Sequence, residues 1–287
     1  MLLALPEIPL SVLAARWGGQ VPIDAAITSI APPEGASAGA LAPVLRSSRL
    51  GEALAARQRG AALLIDASLA SRLPAPSAGE ACWVHAHATW AMAQVLGMCV
   101  LQLPPPVIGE GSSIGPHAVL HPGVVLGKNV KVGAHAVLGH PGFGWATGPD
   151  AQLVAVPQLG GVVIEDDVSI GPLSTVDAGT LSPTVVRRGT KIDAHVHVGH
   201  NCVIGEGCIV AAQAGFAGSV TLGRGVLVGG QAGIADHVKV GDGARIAAKS
   251  GVIGDVAAGE VVAGYPAVAR MRWLRGLAWL YRNREGE

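Results

Sequence analysis

An apolar side chain returns at every sixth position of this chain, at Ile108, Ile114, Leu120, Leu126, Val132 and Leu138. The beat resumes at Ile164, Ile170 and Val176, skips four residues, and then runs without a slip from Val186 to Val252. A period of six suits neither an α-helix nor a flat strand, whose side chains recur at 3.6 and 2. It suits a solenoid in which short strands form flat faces joined at tight corners. The slot four places on holds a second small inward residue, including Ser112, Ala118, Val130, Ala136 and Val226. Cys202 and Cys208 fall in that slot, which makes them core thiols rather than reagents.

The pattern resembles the hexapeptide repeat of left-handed parallel β-helices, in which three hexads close one triangular coil of eighteen residues. The handedness rests on that resemblance. The expected fold is mainly β: a hexapeptide-repeat prism over residues 105–264, with a small N-terminal α/β domain over 1–104 and a C-terminal basic amphipathic helix over 265–287. The segment 139–163 loses the beat and is rich in Gly and Pro, so it should leave the prism as an excursion loop. The four-residue skip near "LSPTV" should be a smaller bulge at a corner. In the N-terminal part, "SSRLGEALAARQRGAALLI" reads as helix then strand and "HATWAMAQVLGM" as a second helix. The terminal helix is opened by Pro266, sets Trp273, Leu274, Leu277 and Leu280 on one side, and sets Arg270, Arg272, Arg275, Arg282 and Arg284 on the other.

Twenty basic residues balance twenty acidic ones, so the overall charge points to neither nucleic acid nor a membrane surface as partner. Cys82, Cys99, Cys202 and Cys208 form no CxxC pair and read as reduced thiols of a cytoplasmic protein. The apolar N-terminus is broken by Pro6, Glu7 and Pro9, which argues against a signal peptide. Nothing in the composition calls for a cofactor or metal.

The coil period converts sequence into geometry, because residues eighteen apart stack at the strand spacing of about 4.8 Å. Gly218 is one coil above His200, and His237 lies two coils and one residue beyond it. Once the bulge is discounted, Asp177 is one coil below and one slot off. His195 and His197 belong to the preceding hexad and are not expected to join this column. Asp193 lies on that preceding face and would reach His200 only across a subunit boundary. A histidine, a carboxylate to orient it and a bare glycine amide are what acyl transfer to an amine requires. The base takes the proton that the attacking amine loses, and a fixed N–H meets the oxyanion.

These residues carry a family resemblance. "VPQLGGVVIEDDVSIGPLSTVDAGTLSPTVVRRGTKIDAHVHVGHNCVIG", "AAQAGFAGSVTLG" and "VGGQAGIADHVKVGDGARIAAKSGVIGDV" are similar to the UDP-3-O-(3-hydroxyacyl)glucosamine N-acyltransferases of lipid A biosynthesis, as is the "GFGWA" loop. The resemblance implies transfer of an acyl chain from a thioester of acyl carrier protein, or of coenzyme A, to the amine of a nucleotide-linked amino sugar. It implies a homotrimer with sites between adjacent prisms. Carried over by position, His200 matches the catalytic base, Gly218 the oxyanion amide and His237 a substrate-binding histidine. Asp177 and Asp193 are placed with the catalytic groups, the latter from a neighbour. Asn201 of "GHN" and Phe143 and Gly144 of the loop are placed with the substrate.

The chain departs from the pattern in places. Ala194 and Ala178 stand where the family has Asn and Arg, and Pro141 precedes the "GFG" in place of Asp. The stretch "GALAPVLRSSRL" has none of the aromatics that stack uracil, so an acceptor amine other than the usual one stays open. Two further classes also remain open. His117 and His135 are one coil apart in the same slot, as in zinc hydratases of the γ-carbonic anhydrase type, and a scaffold without activity is the third reading.

Overall fold

The computed structural model describes residues 3–99, 103–264 and 270–282. Pro266 and Arg284 of the terminal segment therefore lie outside the described residues.

The N-terminal part is a six-stranded sheet in the order β1-β3-β4-β5-β6-β2. Its strands are β1 (Leu3–Pro9), β2 (Gln20–Ile23), β3 (Ala26–Ile30), β4 (Ala40–Val44), β5 (Ala62–Asp66) and β6 (Cys82–His85). β3 to β6 run parallel, and the edges are antiparallel. Every residue of β4 is buried, as a parallel strand covered on both faces demands. The helices are α1 (Leu10–Trp17), α2 (Leu50–Gln58) and α3 (Ala88–Gly97). α1 stops at Gly18, whose φ of 86° lets its N–H close back on the Ala14 carbonyl.

The chain then winds into the prism, a left-handed parallel β-helix. Its strands, two to five residues long, stack into three parallel sheets of seven, eight and seven. Residues eighteen apart pair in register above the bulge, as in Val198↔Phe216, Phe216↔Ile234 and Ile234↔Val252. The sixth-position residues fill the interior: Val198, Ile204, Val210, Phe216 and Leu222 are all buried. Corners turn through the left-handed region, where non-glycine residues such as His117, His135, His195, Asn201, Ser219 and His237 sit at φ between 56° and 64°. That conformation costs roughly 1–2 kcal/mol per residue, and the closed ladder of backbone hydrogen bonds on either side holds it in place.

The excursion is more ordered than a loop. Strand pairing continues past a bulge to Pro141, so residues 139–141 stay on the prism, with His140 paired to Asp177 and Pro141 to Ala178. Beyond it, Trp145–Thr147 and Leu153–Ala155 form an antiparallel hairpin across the "GPD" turn, a sequence suited to a tight reversal. Ala146 and Val156 of the excursion and Leu181 of the bulge are buried in one apolar cluster with Trp83, Ala91 and Met92 of the N-terminal part. Excursion and bulge are thus the seat on which the N-terminal part is docked. Past the prism, α4 (Arg270–Arg282) is amphipathic and leaves Met271, Trp279, Leu280 and Tyr281 exposed.

Candidate active site

One face of the prism builds a cleft from the ends of five successive strands. From bottom to top they deliver Phe143 just after Val137–Pro141, Asp177 within Thr175–Ala178, His197 and His200 at His197–Val198, Gly218 after Gly215–Phe216, and His237 after Gly233–Ile234. The column of Asp177, His200, Gly218 and His237 is therefore assembled in one cleft of about 500 Å³, which also takes in Arg46, Phe143, His197 and Asp236.

The imidazole of His200 is held between two glycines. A Cβ on Gly142 would lie 2.5 Å from His200 Cβ, and one on Gly218 would lie 2.5 Å from His200 Nε2. Gly218 does not have a positive φ; it is required here by proximity to the ring and not by backbone shape. His200 Nδ1 is 3.1 Å from Asn201 Oδ1. Asn201 Nδ2–H donates to the Ser182 carbonyl and Oδ1 accepts the Thr180 N–H, which fixes which end of the amide faces the ring. Nδ1 of His200 therefore carries the hydrogen and Nε2, against Gly218, presents its lone pair to the cleft.

Several residues occupy places other than those the sequence indicated. His197 joins the site: its Nε2 is 3.7 Å from Asp177 Oδ2 and its Nδ1 is 2.7 Å from Thr175 Oγ1. The reason is that outward residues on adjacent strands meet diagonally, a contact the hexad count does not register. Asp177 accordingly partners His197, and the group that hydrogen-bonds His200 is Asn201. Asn201 in turn spends its amide on the ring and the bulge. Gly144 lines the neighbouring pocket, where its carbonyl accepts the Val156 N–H and a Cβ would meet Gln158 Nε2 at 2.7 Å. Asp193 is exposed on the adjacent face with Oδ1 on the Ala194 N–H, outside this cleft. Arg46, which the sequence did not mark, reaches over from the N-terminal part to Asp236, 3.4 Å away.

The electrostatics follow from burial. Asp177 is 7% exposed, and desolvation raises its carboxyl above the usual range, partly offset by His197, His140 and His200. Desolvation also lowers His237, helped by the Arg46 guanidinium and opposed by Asp236. Burial pushes the Cys202 thiol up to about 12, which fits a core residue. Below the cleft, and sharing Phe143, Asp177 and His197 with it, lies an apolar pocket of about 870 Å³ between the excursion and the prism face, walled by Val137, Trp145, Val156 and Leu159.

His117 and His135 do stack, with ring centroids 5.0 Å apart. Among the described residues of the single chain no group of three His, Cys, Asp or Glu side chains is placed to hold a metal. No helix among the described residues is long and apolar enough to cross a membrane.

Residues 105–140 and 183–218 match the family model described as bacterial transferase hexapeptide (six repeats), and residues 219–250 match the hexapeptide repeat of succinyl-transferase. All three matched segments lie within the prism. The chain is similar over part of its length to proteins named UDP-3-O-acylglucosamine N-acyltransferase. That of Caulobacter vibrioides (strain NA1000 / CB15N) is 56% identical over 158 residues, 55% of this chain and 46% of the relative. That of Sinorhizobium fredii (strain NBRC 101917 / NGR234) is 52% identical over 165 residues, 58% of this chain and 43% of the relative. The chain thus spans less than half the length of these curated relatives. Among solved structures, the UDP-N-acetylglucosamine acyltransferase of Francisella novicida superposes with a TM-score of 0.50 at 25% identity, covering 60% of this chain and 62% of that one.

Proposed function

We propose that this chain is an N-acyltransferase of the lipid A type, which moves an acyl group from a thioester of acyl carrier protein or coenzyme A to the amine of a UDP-linked 3-O-acylated glucosamine. The observation that carries this reading is the position of His200 Nε2 in the cleft beside the bare backbone of Gly218. As the amine nitrogen attacks the thioester carbonyl, Nε2 takes its proton. The tetrahedral oxyanion is received by the Gly218 N–H. Collapse forms the amide, breaks the C–S bond and returns the proton from the imidazolium to the departing thiolate. Phe143 and the apolar pocket behind it would hold an aliphatic chain, and His237, kept neutral, would contact the acceptor. In a homotrimer in the cytoplasm, Asp193 would enter from a neighbouring prism.

Lack of aromatics in "GALAPVLRSSRL", and the presence of Arg46 within it, favour a second reading in which a different amino-sugar nucleotide is the acceptor. Both are tested by one screen of amino-sugar nucleotides against acyl carrier protein and coenzyme A thioesters. The expected result is amide formation with at least one pair, lost in a folded His200→Ala variant. Unaltered turnover in that variant refutes the assigned base.

A further inference from the structure

The hydrogen that defines His200 as a base is placed by atoms outside the cleft. Four polar groups run in series from the excursion to the ring. Gln158 is 6% exposed, its Nε2–H donates to the Val156 carbonyl at 3.0 Å, and its Oε1 is left needing a donor. Thr180, in the bulge, sets its Oγ1 2.8 Å from Gln158 Oε1 and 2.8 Å from Asn201 Oδ1. A hydroxyl has one hydrogen, so it can serve only one of these two oxygens. Asn201 Oδ1 already has the Thr180 N–H at 3.0 Å and His200 Nδ1 at 3.1 Å, while Gln158 Oε1 has no other donor among the described hydrogen bonds. The Thr180 hydroxyl therefore goes to Gln158, and the second lone pair of Asn201 Oδ1 is filled by the His200 Nδ1–H.

We propose that Gln158 and Thr180 are positioning residues that lock the Nδ1–H tautomer of His200 through Asn201. The inference deepens the acyl-transfer reading and rests on it for its consequence in turnover, although the tautomer itself does not. The logic is one of exclusion. With the bulge tied to the excursion by the Thr180–Gln158 bond, the Thr180 N–H and the Ser182 carbonyl face opposite ends of the Asn201 amide, so the amide cannot turn over without opposing like groups. If the tie is cut, the bulge can withdraw, the amide can rotate, and an NH₂ facing Nδ1 would move the imidazole hydrogen to Nε2, where it blocks the base.

The test reads the nitrogens directly. The full chain is labelled with ¹⁵N-histidine, and two-bond ring correlations are recorded near pH 8. The wild type should show His200 protonated at Nδ1 and bare at Nε2. His85 supplies an internal reference of the opposite kind, because its Nδ1 accepts the His87 N–H and its Nε2 faces the Trp17 carbonyl. Thr180→Val and Gln158→Leu should draw the two His200 shifts towards each other, leave His85 unchanged and lower turnover about tenfold, part of the 10²–10⁴ that a positioned base supplies. Thr180→Ser, which keeps the hydroxyl, should restore both. A wild-type His200 protonated at Nε2 overturns the proposal without any variant. So does a Thr180→Val protein that keeps the His200 shifts of the wild type. If no acyl transfer is found in the wild type, the function falls and the tautomer arm still decides the proposal.

Discussion

Gly218→Ala puts the packing around His200 to the sharpest trial. The added methyl would lie 2.5 Å from Nε2, 2.7 Å from Cε1 and 3.1 Å from Cδ2 of the ring. Ordinary carbon contacts are about 3.5–4.0 Å, so the ring has to retreat by about 1 Å. Gly218 has no left-handed φ, which leaves the collision as the whole of the perturbation. Displacing a side chain off its rotamer by that much costs about 0.5–1.5 kcal/mol, and at about 2–4 °C per kcal/mol for a chain of this size the melting temperature should fall by only a few degrees. Turnover should fall far more, because a misplacement of about 1 Å in a reacting group can cost 10² in rate. The amide N–H of residue 218 survives the substitution, so the loss measures the position of the base and not the oxyanion contact. The assay pairs initial rates with thermal melts, and repeats the melts in a His200→Ala background. Without the imidazole the three nearest contacts of the methyl are gone, and the stability cost of Gly218→Ala should shrink there. A Gly218→Ala enzyme that keeps more than half the wild-type turnover, or a melting-temperature loss that persists unchanged in the double variant, refutes the reasoning.

Two more outcomes follow from the site. Burial raises the Asp177 carboxyl, so its contribution to stability is full below the unfolded value near 3.8 and is lost as pH rises through the higher folded value. Asp177→Asn should therefore melt at the wild-type temperature near pH 3.5 and above it at pH 7.5, and an unchanged or lower melting point at pH 7.5 contradicts the burial cost. Ala155→Trp on the hairpin should narrow the apolar pocket and shift donor preference to shorter acyl chains, by about 0.8 kcal/mol for each methylene that no longer fits; identical chain-length profiles would show that the chain lies elsewhere.

The prism was legible because its constraint is local and repeated. An inward slot tolerates only apolar or small residues, so each coil writes the same line, and register arithmetic then brought His200, Gly218 and His237 together. The same arithmetic fixes height on the prism but is silent on where a side chain turns. That is why the count sets His197 apart from Asp177 although they meet diagonally across adjacent strands, and why it points to a carboxylate at His200 where the structure has the Asn201 amide. Arg46 was invisible for another reason: its arrival depends on how the N-terminal sheet seats on Leu181 and Ala146, a packing relation with no periodic signature. The hairpin within the excursion has a weaker signature, since "WATGPDAQLVA" sets only short β-prone runs around a turn where the hexad beat is lost.

The backbone ladder gives the cleft a ruled scale. Groups on this face can be moved along the axis only by whole coils, because six residues more or fewer turn everything above them onto the next face. The two coils that part His200 from His237, about 10 Å, can therefore change only in increments of about 4.8 Å. An acceptor that spans the two histidines is measured against a graduated rule, and point substitutions can alter what lies at its marks but not their spacing.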